Sequence, residues 1–60
     1  MNTIDGIFVR EVGSISVGSN TVTSISPYRY MGHDGFIVQY KNGSSRFVFI
    51  GHVVSVEFNK

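Results

Sequence analysis

Residues 35–50 have the sequence GFIVQYKNGSSRFVFI, which predicts a β-hairpin. Two runs rich in β-branched and aromatic residues flank Asn42-Gly43, a pair that favours the positive φ angles of a type I′ turn. A two-residue turn at this point would place Gln39 opposite Arg46 and Phe36 opposite Phe49. One face of the hairpin then forms the core, and it consists of Phe36, Val38, Tyr40, Phe47 and Phe49. The other face is polar, and it consists of Gln39, Lys41, Ser44 and Arg46.

Short extended segments make up the rest of the chain. The pattern predicts strands at residues 7–12, 14–17, 21–26, 28–31 and 53–58, and turns at residues 18–20 and 32–35. Pro27 has no amide hydrogen to donate to a ladder, so it marks an edge strand, a bend or a strand start. Five or six short strands predict an all-β fold, and a small barrel is favoured because closure removes exposed edges. The alternative is a curved open sheet that a partner chain completes.

The short length of the chain limits the size of its core and therefore its stability. Sixty residues form one domain, residues 1–60, which is expected to bury only about 60% of the surface that its unfolded chain exposes. The sequence has no cysteine, so disulfides cannot compensate for the small core. Self-association is therefore expected, and we predict a homo-oligomer.

Charge and hydropathy narrow the possible partners. A net charge of +1 is too small to indicate nucleic-acid binding by itself. The sequence contains no apolar run near 18 residues and no signal-peptide pattern at residue 1, so no membrane partner is expected and the expected location is the cytoplasm.

Candidates for catalysis are few. His33-Asp34 and His52 are the groups suited to acid–base chemistry, but adjacent residues of a strand point to opposite faces. The alternative is that Asp34 caps a turn while both histidines are turn residues. No nucleophile motif accompanies the serines, and two distant histidines are too few for a metal site. We therefore expect no enzyme activity, no cofactor and no metal.

The segment Tyr28-Arg29-Tyr30 is the strongest recognition signal. In a strand the two tyrosines share a face and could stack on bases, while Arg29 on the opposite face contacts phosphates. Lys41 and Arg46 could supply the basic side of a groove. The alternative is that the tyrosines form the rim of the core and the cations are simply solvated.

Residues 34–58 resemble the second half of an Sm-like domain, in particular that of the bacterial Hfq proteins. The similar features are Asp34, an apolar strand at residues 36–38 that closes with Lys41-Asn42, a second apolar strand at residues 47–50, the break Gly51-His52, and the closing strand at residues 53–56. The resemblance implies a five- or six-stranded SH3/Sm-like barrel, a 3₁₀ turn at the break and ring assembly through strand edges.

The chain also departs from that family. The Hfq proteins carry a Lys-His pair at the break, whereas Gly51 precedes His52 here, and their glutamine-lined uridine site has no clear counterpart. Their N-terminal helix is replaced by a predicted strand. The predicted function is non-catalytic binding of RNA, single-stranded nucleic acid or nucleotides, through Tyr28, Arg29, Tyr30, Lys41, Arg46 and His52. The alternative is a protein-interaction module that docks through a strand edge or the aromatic patch.

Overall fold

A computed structural model describes residues 3–19 and 21–59, and their regular structure is almost entirely β. The strands are β1 (Thr3–Val9), β2 (Gly13–Ser16), β3 (Val22–Tyr30), β4 (His33–Tyr40), β5 (Ser45–Phe49) and β6 (Val53–Asn59). A 3₁₀ turn, Ile50–His52, separates the last two strands, at the place where the resemblance implied one. The prediction of an all-β fold with five or six short strands is confirmed, and the number is six. In the described part of the chain, no helix is long and apolar enough to cross a membrane.

The strands form two antiparallel sheets of three strands each. Their orders are β2-β1-β6 and β3-β4-β5, and within the described residues no ladder joins the two sheets into one closed barrel. Both sheets contribute to a single apolar core, made of Ile7, Val9, Ile15, Val22, Ile25, Phe36, Val38 and Val48. The architecture therefore leaves β2, β6, β3 and β5 at the ends of their sheets.

The first hairpin begins and ends earlier than its sequence pattern suggests. β1 ends at Val9 rather than at Val12, because the amide of Val12 donates to the carbonyl of Val9 (3.2 Å) and closes a turn. Glu11 in this turn has a φ of 68°. The predicted turn at residues 18–20 is present at Gly18 and Ser19, while Asn20 lies outside the described residues.

β3 runs without interruption through Pro27, which pairs with Phe36 on β4. Because β3 lies at the edge of its sheet, one of the roles predicted for this proline is confirmed. The turn predicted at residues 32–35 is wrong, since β4 already begins at His33. The actual turn is Met31-Gly32, with φ angles of 50° and 82°, the two positive values that a type I′ turn requires.

The hairpin between β4 and β5 has a three-residue loop rather than the predicted two-residue turn. The amide of Gly43 donates to the carbonyl of Tyr40 (3.0 Å), and the amide of Tyr40 donates to the carbonyl of Ser44 (2.9 Å). Gly43 has a φ of 92°, whereas Asn42 is not left-handed. This is the pattern of a three-residue hairpin loop that ends in a left-handed glycine.

The longer loop shifts the register by one residue. Phe36 lies opposite Val48, and Ile37 lies opposite Phe47. Since side chains alternate between faces, the predicted core face is wrong for β5: Val48 is buried, while Phe47 and Phe49 are on the outer face of the sheet. Phe49 is 43% exposed.

The register predicts different stabilities for two otherwise identical substitutions. Phe36→Ala is expected to lower the free energy of unfolding by about 3–5 kcal/mol, because the ring is buried in the core. Phe49→Ala is expected to lower it by only about 1 kcal/mol, because much of that ring is already in water. Urea unfolding followed by circular dichroism measures both values. Equal losses for the two variants would contradict the observed register.

Met31 has a φ of 50°, in the left-handed region that residues other than glycine and asparagine disfavour, and the residue is 80% exposed. Met31→Asn is expected to raise the free energy of unfolding by about 1 kcal/mol, because asparagine adopts positive φ more readily. In thermal unfolding this corresponds to a Tm higher by about 4–8 °C. Met31→Gln removes the apolar side chain without relieving the backbone, so its Tm should not change. An equal gain for both variants would show that the backbone is not the cause.

Candidate functional site

The outer face of the sheet β3-β4-β5 carries a connected set of aromatic rings. We call this surface the aromatic face, and it consists of Tyr28, Tyr30, His33, Phe47, Phe49 and His52. It lies on the side of the sheet opposite the core, because β3 and β5 present these residues in alternation with the buried ones. The two tyrosines share this face, as their spacing predicted, and Arg29 lies on the opposite side.

Phe47 is the centre of the aromatic face. Its ring centroid lies 5.0 Å from that of Phe49, at an interplanar angle of 81°. It also lies 5.4 Å from the centroid of Tyr30 and 6.2 Å from that of Tyr28. The contacts with Phe49 and Tyr28 are edge-on and that with Tyr30 is tilted by 46°, and at these separations aromatic pairs attract one another. The rings therefore support one another while Tyr30 remains 50% exposed.

The two histidines flank Phe49. The ring centroid of His33 is 5.4 Å from that of Phe49, the centroid of His52 is 6.0 Å from it, and both contacts are edge-on. Asp34 points to the other side of β4 and faces Arg29, with 3.9 Å between its Oδ1 and the Nε of Arg29. The structure therefore does not bring His33 and Asp34 together, and Asp34 belongs to a strand rather than capping a turn.

Gly35 allows Phe47 to lie close against the sheet. A Cβ atom at this position would be 2.8 Å and 2.9 Å from the Cζ and Cε1 atoms of Phe47, and it would overlap the carbonyl oxygen of Val48. Gly35 is buried for this reason, although it belongs to the outer face of β4. A glycine in the central strand thus makes room for the central ring of the aromatic face.

Arg46 lies on the edge strand β5, beside the aromatic face rather than on it. It pairs with Val38 on the core side of the sheet, so it does not share a face with Gln39, and the predicted polar hairpin face is wrong on this point. A shallow depression of about 190 Å³ at this border is lined by Arg10, Glu11, Arg46, Phe47, Phe49 and His52, among others. Two guanidinium groups, an imidazole and one carboxylate therefore adjoin the rings of β5.

The remaining predicted cations lie elsewhere. Lys41 is in the hairpin loop, where its amide donates to the carbonyl of Thr21 (2.7 Å). Arg29 faces the opposite side of β3 from the tyrosines. Of the six predicted site residues, the structure thus joins Tyr28, Tyr30 and His52 through rings and adds Arg46 at their border.

Phe47, Phe49 and Arg10 are site residues that sequence reasoning did not identify. The two phenylalanines were assigned to the core because a two-residue turn was assumed. The usable signal was Gly35: a glycine inside an apolar strand often marks the close approach of another group. Arg10 reaches the site because its amide donates to the carbonyl of His52 (2.8 Å), a long-range contact without a sequence signature.

A second surface feature lies between the two sheets, and we call it the end groove. It has a volume of about 600 Å³. The lining residues are mostly apolar and include Ile4, Pro27, Phe36, Ile50, Val56 and Phe58, with Arg29 and Asp34 among them. Ile50 is 57% exposed and Phe58 is 59% exposed. The groove is thus a substantial apolar surface open to water.

The described residues contain no group of three or more His, Cys, Asp or Glu side chains placed to hold a metal ion. The aromatic face itself offers rings, phenolic hydroxyls and imidazoles, with arginines at its border. Such an arrangement can stack on planar groups and attract anions.

Comparisons with known proteins provide no family for this chain. No protein-family model matches it, and no curated protein or solved structure matches it. Its function therefore has to be argued from the two surfaces described above.

The role of Gly35 can be tested with a matched glycine. Gly35→Ala is expected to lower the free energy of unfolding by about 3 kcal/mol, because the added methyl group displaces Phe47 and meets backbone. Gly51→Ala should have an effect below about 0.5 kcal/mol, since nothing lies within 4 Å of a Cβ at that position. Thermal unfolding measures both. A Gly35→Ala variant as stable as Gly51→Ala would contradict the placement of Phe47.

Proposed function

We propose that this chain is a non-catalytic binding module that takes single-stranded nucleic acid on the aromatic face and acts as a homo-oligomer in the cytoplasm. The observation that carries the proposal is the connected set of exposed rings centred on Phe47, with Arg10 and Arg46 at its border. An exposed aromatic surface of this kind on so small a domain is typical of an interaction site.

Stacking is the main interaction in this proposal. Tyr30 and Phe49 are about half exposed, and each ring is also in contact with the ring of Phe47, tilted in the first case and edge-on in the second. Each base that stacks on such a ring contributes about 1–3 kcal/mol, with little dependence on its identity. The aromatic face is therefore expected to bind single strands with weak sequence preference.

Arg10, Arg46 and His52 supply the electrostatic part. They line one depression beside Phe47 and Phe49, so a strand that stacks on these rings brings its phosphates to the guanidinium groups. Two phosphate contacts predict a salt dependence with a logarithmic slope of about −1.4 for a single strand. This modest slope agrees with the net charge of +1.

The strand arrangement supports an SH3/Sm-like assignment as part of the proposal. Strands β3, β4 and β5 form a meander, a 3₁₀ turn follows, and the last strand pairs with the first. The 3₁₀ turn between the last two strands is the feature that the resemblance implies for the second half of such a domain. The sheet that this meander forms is the one that carries the aromatic face.

A protein partner is the second candidate for the same face. The observation that favours it is the near balance of charge, since the chain carries five Lys and Arg side chains and four Asp and Glu side chains. A surface with so small a basic excess attracts polyanions only weakly and leaves apolar contacts with a protein as the stronger interaction.

The binding of a fluorescein-labelled oligouridine of about 12 nucleotides, followed by anisotropy at low salt, tests the proposal. Phe49→Ala and Tyr30→Ala are expected to weaken binding about tenfold each, and Arg46→Gln to reduce the salt slope by about 0.7. Phe8→Ala is the matched control, because Phe8 is equally exposed but lies on the other sheet.

No binding to the oligouridine or to its DNA counterpart at low salt would overturn the nucleic-acid proposal. Equal weakening by Phe8→Ala would also contradict it, because binding would then not be located on the aromatic face. Nuclease-resistant capture of one protein that depends on Phe49 and Tyr30 would favour the second candidate instead.

A further inference from the structure

We infer that the end groove is the docking site for a second copy of this chain, which binds about a two-fold axis so that the groove of each copy covers that of the other. The inference deepens the self-association that the proposed function includes and rests on it. It does not depend on what the aromatic face binds. Three observations carry it: the exposed apolar residues of the groove, the charge pair beside them, and the surface area of the chain.

The apolar residues of the end groove are too exposed for an isolated domain. Ile50 and Phe58 rise at the groove with more than half of their surface in water, while Ile4, Phe36 and Val56 line it nearer the core. The eight core residues lie between the two sheets, and Ile4 and Val56 of the groove pack against them. The groove therefore extends the apolar core to the surface. A large apolar surface of this type is expected to be covered in the working form of a protein.

The charges at the groove favour a copy of the same chain as the occupant. Arg29 and Asp34 both line the groove, face each other at 3.9 Å, and have side chains that are 73% and 71% exposed. In a two-fold interface, when residue i of one copy contacts residue j of the other, residue j also contacts residue i. A surface that carries one cation beside one anion is therefore complementary to itself, with Arg29 of each copy facing Asp34 of the other.

The accessible surface supports the same conclusion. A monomeric protein of 6.6 kDa is expected to expose about 3,900 Å², whereas this chain exposes 4434 Å². A stable interface covers about 800 Å² on each partner. The surplus exposed by this chain, roughly 500 Å², is about two thirds of the area that one such interface would cover on each partner.

Most of the aromatic face lies outside the inferred interface. Tyr30, Phe47 and Phe49 lie on the outer side of the sheet, away from the groove, whereas Tyr28 belongs to the aromatic face and also lines the groove. Each dimer therefore presents two open aromatic faces. Binding on those faces and docking in the groove can be measured separately.

Light scattering and native mass spectrometry of the full chain at about 100 µM test the inference, with the wild type expected to be a dimer. Phe58→Glu is expected to raise the dissociation constant of the dimer at least tenfold, because it places a charge in the groove. Val54→Glu is the matched control, since Val54 is nearly as exposed on the same strand but does not line the groove, and it should remain dimeric.

Charge reversal tests the two-fold arrangement more sharply. In a dimer of the Arg29→Glu variant, two anions would face each other at each of the two contacts. In a dimer of the Asp34→Arg variant, two cations would face each other there. Each variant should therefore be monomeric by itself. An equimolar mixture of the two should form a heterodimer of the wild-type affinity, because every facing pair is then opposite in charge.

Any of three results would overturn the inference. They are a wild type that is monomeric, a Val54→Glu variant that dissociates as Phe58→Glu does, and charge-reversal variants that fail to form a heterodimer. Circular dichroism confirms that each variant is folded, and the exposed charge-reversal pair provides the answer if Phe58→Glu is not. If the chain is a folded monomer that still binds oligouridine, the dimer inference fails and nucleic-acid binding stands. If the dimer is intact but does not bind oligouridine, nucleic-acid binding fails and the dimer inference stands.

Discussion

The loop of residues 41–43 is the constraint on which the core face of β5 and the aromatic face both depend. The side-chain Oδ1 of Asn42 accepts hydrogen bonds from the amide (2.9 Å) and the hydroxyl (2.6 Å) of Ser44, and the left-handed Gly43 completes the loop. Because side chains alternate along a strand, a loop of three residues rather than two reverses the face of every residue on β5. The three-residue loop therefore places Val48 in the core and Phe47 and Phe49 on the outer face of the sheet.

The fold as a whole divides the apolar residues of the chain between an interior and two surfaces. The interior receives mainly aliphatic side chains, with Phe36 buried among them and Tyr40 packed against them. Tyr28, Tyr30, Phe47 and Phe49 cluster on the outer side of the sheet β3-β4-β5, where Gly35 makes room for Phe47. Phe58 and Ile50 stay at the open end between the sheets. A domain that places so many large side chains outside its core is built for contacts with other molecules, and we propose one partner for each surface.

Local patterns were sufficient to predict much of the fold. The all-β class, the shared face of Tyr28 and Tyr30, and the edge position of Pro27 each follow from alternation or from the chemistry of one residue. The register of β5 could not be predicted, because Asn42-Gly43 suits loops of two or three residues. Both faces of that strand are also apolar, so hydrophobic alternation does not choose between them. Phe47 and Phe49 were assigned to the core for this reason, whereas Arg10 was missed because its contact is long-range.

The register of the β4–β5 hairpin is tested most directly by cross-strand nuclear Overhauser effects between α-protons. Since Tyr40 and Ser44 form a hydrogen-bonded pair, alternation makes Ile37 and Phe47 a non-hydrogen-bonded pair, whose Cα atoms approach to about 4.5 Å. A strong effect between the α-protons of Ile37 and Phe47 is the expected result. An effect between those of Val38 and Phe47 instead would return both phenylalanines to the core and contradict the aromatic face.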